Sequence, residues 1–90
     1  MTPAKYRVLT EKSFDRAISR LDRTLARRIL KALIQLEELD DPTKRCKALS
    51  GPLTGLWRLR VGDYRIILDI RRTDLVVVAL DAANRSSIYD

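Results

Sequence analysis

The chain has no histidine, one cysteine (Cys46), one tryptophan (Trp57) and one phenylalanine (Phe14) among its 90 residues. Each scarcity excludes a chemistry. Without histidine there is no histidine-based catalytic triad, and most zinc sites lose a ligand type. A single cysteine forms no internal disulfide. No metal and no other cofactor is expected. No apolar run approaches the length of a membrane span, and the N-terminus carries no signal-peptide pattern. The expectation is a cytoplasmic protein without a membrane partner. Repeats and low-complexity segments are also absent.

What is present is hydrophobic and basic. Hydrophobic residues make up 46% of the chain, enough to argue against disorder despite 33% charged residues. The length suits one domain over residues 1–90, near the lower size at which a core sustains itself. The formal net charge is +6. Residues 1–40 and 41–90 each hold nine basic and six acidic groups, so the excess is no detachable tail. A charge spread through the fold points to an acidic or nucleic-acid partner. A soluble domain that is merely basic has the same composition, and charge alone leaves the two about even.

Residues 5–9 alternate Tyr6 and Val8 against Lys5 and Arg7, the pattern of a short strand. Thr10 offers a helix N-cap, with Glu11 in the first turn. Phe14, Ala17, Ile18 and Leu21 follow at helical spacing. Asp22 or Thr24 restarts the chain as a second helix with Leu25, Ile29, Leu33 and Leu36 as its apolar stripe. Asp40-Asp41-Pro42 stops it. The basic residues Arg20, Arg23, Arg27, Arg28 and Lys31 read as a solvated face of this antiparallel helix pair. A loop over 43–54 carries Lys44, Arg45 and Lys47, and three strand-like segments follow at 56–61, 64–70 and 75–80. The order β-α-α-β-β-β predicts an α+β fold, a mainly antiparallel sheet with the helical hairpin packed on one face.

The stretch GLWRLRVGDYRIILDI, residues 55–70, concentrates Arg58, Arg60 and Arg65 in the predicted sheet. Gly62-Asp63 reads as a two-residue hairpin turn with glycine first, the type II′ preference. That register pairs Val61 with Tyr64, Arg60 with Arg65 and Trp57 with Leu68. Trp57, Leu59, Val61, Tyr64, Ile66 and Leu68 then share the core face, and the three arginines share the other. Like charges opposed across a pair destabilise a sheet by up to roughly 1 kcal/mol. Unless Asp69 or Asp81 neutralises them, the arginines should face a polyanion, and planar guanidinium groups suit phosphate. A solvated face with internal salt bridges is the plainer alternative. Arg85 and Tyr89, four residues apart near the C-terminus, would add a cation and a stacking ring if that segment folds back beside the hairpin. A tyrosine packed on the core is the alternative there.

The pattern L-x-GPL-x-GLWRLRVGDYRIIL, followed by NRSSIY, closely resembles the RelE/ParE superfamily of bacterial toxins from type II toxin–antitoxin systems, over nearly the whole chain. RelE-like members are described as ribosome-dependent endoribonucleases. They cut mRNA without a metal, the 2′-hydroxyl attacking the adjacent phosphate to leave a 2′,3′-cyclic phosphate. The resemblance implies catalytic roles for Arg58 (proton removal or phosphate binding), Arg65 (phosphate binding), Arg85 (the leaving 5′-oxygen) and Tyr89 (orienting or stacking on the nucleotide). Arg60 joins the cluster through the register and, with Lys44, Arg45 and Lys47, is a candidate for RNA binding. Two departures stand out. Leu56 occupies a position where a lysine is described, and Asn84 one where relatives have lysine or histidine. Implied partners are a cognate antitoxin, the ribosome and mRNA, with operator DNA reached only through the antitoxin. Two other outcomes remain open: a ParE-like inhibitor of DNA gyrase without nuclease chemistry, and an inactive relative that only binds antitoxin.

Overall fold

The structure, a computed structural model, describes residues 5–85. Five strands form one sheet: β1 (Arg7–Thr10), β2 (Lys47–Ala48), β3 (Trp57–Val61), β4 (Tyr64–Arg71) and β5 (Val76–Asn84). Two helices, α1 (Lys12–Ser19) and α2 (Arg23–Leu36), lie between β1 and β2. The strand order is β1-β5-β4-β3-β2, with β1 parallel to β5 and every other pair antiparallel. The predicted order of elements holds, with two additions. β2 is a two-residue strand inside what reads as loop, and β5 runs on to Asn84 instead of stopping at residue 80.

Both helices pack on the same face of the sheet. Phe14 from α1 and Ile29, Leu33 and Leu36 from α2 meet Leu59, Val61, Ile66, Leu68, Ile70, Val77, Ala79 and Ala82 in one core cluster. Burying each large aliphatic or aromatic side chain there contributes about 1.5–3 kcal/mol. The expected β3–β4 register is the observed one, from Val61 opposite Tyr64 to Trp57 opposite Leu68. Gly62 has φ 58°, and Leu75 is the one described non-glycine residue with positive φ, so Asp63 keeps the negative φ of a type II′ turn. The β4–β5 ladder shifts register between Ile67 and Leu68, leaving Leu80 as the extra residue of a bulge. The Ser13 hydroxyl of α1 donates to the Leu80 carbonyl at that point.

The helix starts differ from expectation in one place. Thr10 ends β1, and Glu11 is the N-cap of α1 without a side-chain cap hydrogen bond. The Glu11 amide donates to the Ala79 carbonyl of β5 at 2.9 Å, so sheet pairing carries the chain one residue further before the helix begins. Asp22, rather than Thr24, caps α2, its Oδ1 accepting the Leu25 amide at 2.9 Å. Replacing Asp22 by alanine orphans that amide and is expected to cost about 1 kcal/mol, read as a lower urea midpoint with unchanged slope. At the sheet's outer edge, the Glu37 carboxylate accepts the Val8 amide at 2.8 Å, occupying a donor that β1 would otherwise present to another strand.

Candidate nucleic-acid interface

Alternation along the strands sends one set of side chains into the helical core and the other to the face the two helices leave uncovered. Lys47 pairs with Arg58, Arg58 with Ile67, and Ile67 with Asp81 across β2, β3, β4 and β5. Two residues nearer the hairpin turn, Arg60 pairs with Arg65 and Arg65 with Ala83. Paired residues share a face, so Lys47, Arg58, Arg60 and Arg65 form a block of four cations on adjacent strands. Lys47 enters only because β2 exists.

The like-charge pair separates by burial. Arg60 is exposed, whereas Arg65 retains only 6% of its accessible surface. Arg65 Nη1 donates to the carbonyls of Gly62 and Tyr64, both at 3.2 Å, so the guanidinium curls back onto its own hairpin turn. Its Nε is buried and finds no acceptor among the described residues. Neither expected carboxylate neutralises Arg65. Asp69 pairs with Arg71 at 3.0 Å, and Asp81 Oδ1 accepts the Ala82 amide at 2.8 Å. A buried cation without a counter-ion costs free energy, and such a cost is commonly retained where the charge has an external partner.

Arg85 arrives at the same turn from the opposite direction. Its amide donates to the Asp63 carbonyl at 2.8 Å, directly after Asn84 pairs with Tyr64. The Gly62-Asp63 turn thus anchors both Arg65 and Arg85, and Arg85 is exposed. Tyr89 lies outside the described residues, as do Ser86 and Ser87. Arg58 is half-buried on β3, and Leu56, at the position of the expected lysine, is half-buried just before it.

Lys44 and Arg45 are exposed in a short 3₁₀ turn, Pro42–Arg45, and do not share the strand register of the other four cations. That turn is braced by Asp41, whose Oδ1 accepts both the Thr43 hydroxyl (2.6 Å) and the Thr43 amide (3.1 Å). The hydroxyl contact holds the Asp41 carboxyl below its ordinary value. Cys46 follows, partly buried against the core, and burial pushes its thiol up to about 11. At neutral pH it is a protonated packing residue with little thiolate for chemistry.

Sequence reasoning overlooked the role of Asp63, which acts through its backbone carbonyl and so leaves no side-chain signature. Arg28, read as part of a solvated helix face, is indeed exposed, and its guanidinium also approaches the Gly62 turn. No periodicity connects position 28 with position 62.

This topology is that of the RelE-type toxins. The chain aligns with the toxin–antitoxin complex RelBE2 from Mycobacterium tuberculosis (23% identity, 90% of this chain and 99% of that one, TM-score 0.82). It is also similar to the archaeal RelE–RelB complex from Pyrococcus horikoshii (30% identity, 93% and 99%, TM-score 0.72). A free E. coli RelE toxin with two arginine-to-alanine substitutions shares the fold (16% identity, 92% and 86%, TM-score 0.71). A search of curated proteins returned no match. The family profile described as the ParE toxin of type II toxin–antitoxin systems matches residues 8–89, and the chain belongs to that family, within the RelE/ParE toxin superfamily.

Proposed function

We propose that this toxin is a ribosome-dependent endoribonuclease that cuts mRNA and is held inactive by a cognate antitoxin. The observation that carries the reading is the block of Lys47, Arg58, Arg60 and Arg65 on the face away from the helices, with Arg65 fixed at the turn that also anchors Arg85. In the reaction, the 2′-oxygen attacks the adjacent phosphorus and the bond to the 5′-oxygen breaks. A cyclic phosphate and a 5′-hydroxyl remain, the 2′-proton having left and a proton having reached the leaving oxygen. Negative charge builds on the non-bridging oxygens in the transition state, where fixed guanidinium donors are most effective. Arginine stays protonated at neutral pH, so Arg58, Arg65 and Arg85 act by stabilising charge and positioning phosphate. Tyr89 would supply the stacking ring.

The antitoxin assignment rests on the superfamily and on solved relatives held by RelB antitoxins; in this reading operator DNA is reached only through the antitoxin. The cytoplasm, where ribosomes and mRNA are found, is the compartment this activity needs. Among the described residues no helix is long and apolar enough to cross a membrane.

A second reading, inhibition of DNA gyrase through protein contacts alone, is favoured by the ParE description of the matching family and by Leu56 in place of a lysine. Primer extension on a translated reporter mRNA separates the two, after induction of the protein alone or of Arg85→Ala. Cuts within the translated frame that disappear in the variant support the nuclease. Growth arrest with intact mRNA and a DNA-damage response would transfer the assignment to gyrase. Intact mRNA with normal growth would leave an inactive antitoxin-binding relative.

A further inference from the structure

Arg28 projects from α2, in the helical layer, yet its guanidinium reaches the hairpin turn of the sheet. A Cβ placed on Gly62 would stand 3.4 Å from Arg28 Nη2, 3.6 Å from Nη1 and 3.8 Å from Cζ. Both terminal nitrogens are nearer than the carbon, so the donor edge of the guanidinium is turned toward the glycine. A Cβ there would come into ordinary van der Waals contact with the guanidinium. Among the described residues Arg28 has no ion-pair partner, and its side chain makes no hydrogen bond. The Arg65 guanidinium donates to the Gly62 carbonyl, and the backbone amide of Arg85 donates to the Asp63 carbonyl, so the turn is approached by the guanidinium groups of Arg28 and Arg65 and tied through the main chain to Arg85. Asp63 is the single carboxylate there, and it forms no ion pair with any of the three among the described residues. The turn is therefore cationic on balance.

We propose that Arg28 is a third anion-binding arginine at this turn, carrying the phosphate-binding surface from the uncovered sheet face over the Gly62-Asp63 turn onto α2. The inference deepens the RNA reading of the same site and rests on it for the identity of the polyanion. A single strand crossing Arg65 and Arg85 would leave the sheet at the turn, where the exposed guanidinium of Arg28 meets its next phosphate. A planar fork of donors suits that contact better than an ammonium.

The test is the salt dependence of binding to two probes, a labelled single-stranded RNA of about 12 nucleotides and linear polyphosphate. Each phosphate neutralised on a single strand contributes about 0.7 to the slope of log affinity against log salt. Arg28→Ala is expected to lower the RNA slope by about 0.7 and to weaken both probes severalfold at low salt. Arg7→Ala removes the same charge from the far end of the sheet, where Arg7 pairs with Val76 and Val76 with Arg71. It should leave the slope at its wild-type value. Arg28 is exposed, so the variant is expected to keep the wild-type melting temperature. Equal slopes for Arg28→Ala and wild type, or equal losses in Arg28→Ala and Arg7→Ala, would overturn the proposal even if mRNA cutting were intact. A loss confined to Arg28→Ala in a protein that cuts no mRNA would retain this site and remove the nuclease assignment alone.

Discussion

Arg65→Met is expected to reduce mRNA cleavage by roughly 10²–10³-fold, the range for losing one preorganised donor to a developing oxyanion, while leaving stability nearly unchanged. The two halves of this expectation have separate physical origins. The native guanidinium is buried, and among the described residues its Nε has no acceptor and it forms no ion pair. Methionine fills similar volume without that desolvated charge, and exchanging a buried ionic group for a well-packed apolar one is often neutral or stabilising. The opposing loss is the pair of hydrogen bonds to the Gly62 and Tyr64 carbonyls, and the exposed turn lets water replace at least the first. Cleavage in a translated reporter and a urea unfolding curve should therefore respond in different ways. A stability loss above about 3 kcal/mol with proportionate loss of activity would make Arg65 a turn brace with no ligand. Arg65→Lys sharpens the comparison. It keeps the charge but loses the fork of donors, and should recover only part of the activity.

Phe14→Ala should produce the largest loss of stability, about 3–5 kcal/mol. Phe14 is 1% exposed and is the aromatic residue through which α1 enters the core. Its removal deletes apolar contact and leaves a cavity that a rigid sheet below cannot close. A domain of this size has about 5–13 kcal/mol of total stability, so roughly a quarter or more would disappear. At about 4–8 °C per kcal/mol, the melting temperature should fall by about 12–40 °C. Ile34→Ala is the internal contrast. Ile34 is 58% exposed on α2, and its truncation should stay within about 0.5 kcal/mol. Comparable losses in the two variants would mean that α1 does not dock as described.

Much of this architecture was legible because it is local. Glycine before aspartate between two alternating strands specifies a two-residue turn, and that turn sets the β3–β4 register residue by residue. Once the register is given, alternation alone assigns Leu59, Val61 and Ile66 to the core and Arg58, Arg60 and Arg65 to the opposite face. The helix pair was legible for the same reason, through the spacing of Phe14 to Leu21 and of Leu25 to Leu36. Thr10 was misread because its capping chemistry is real but lost to sheet pairing, which extends through the Glu11 amide. β2 was missed because two residues, Lys47 and Ala48, carry no periodicity.

The sequence by itself determined which residues lie on each face of the sheet and that one face is cationic, since turn chemistry and side-chain alternation act over a few residues. Only the tertiary structure decided how those cations differ. It buried Arg65 against its own turn, left Arg60 exposed, placed Lys47 beside Arg58 and brought Arg28 from the helical layer to Gly62. These outcomes depend on contacts between segments distant in the chain. No local pattern encodes them, because packing and the competition of donors for carbonyl acceptors settle them after the elements have come together.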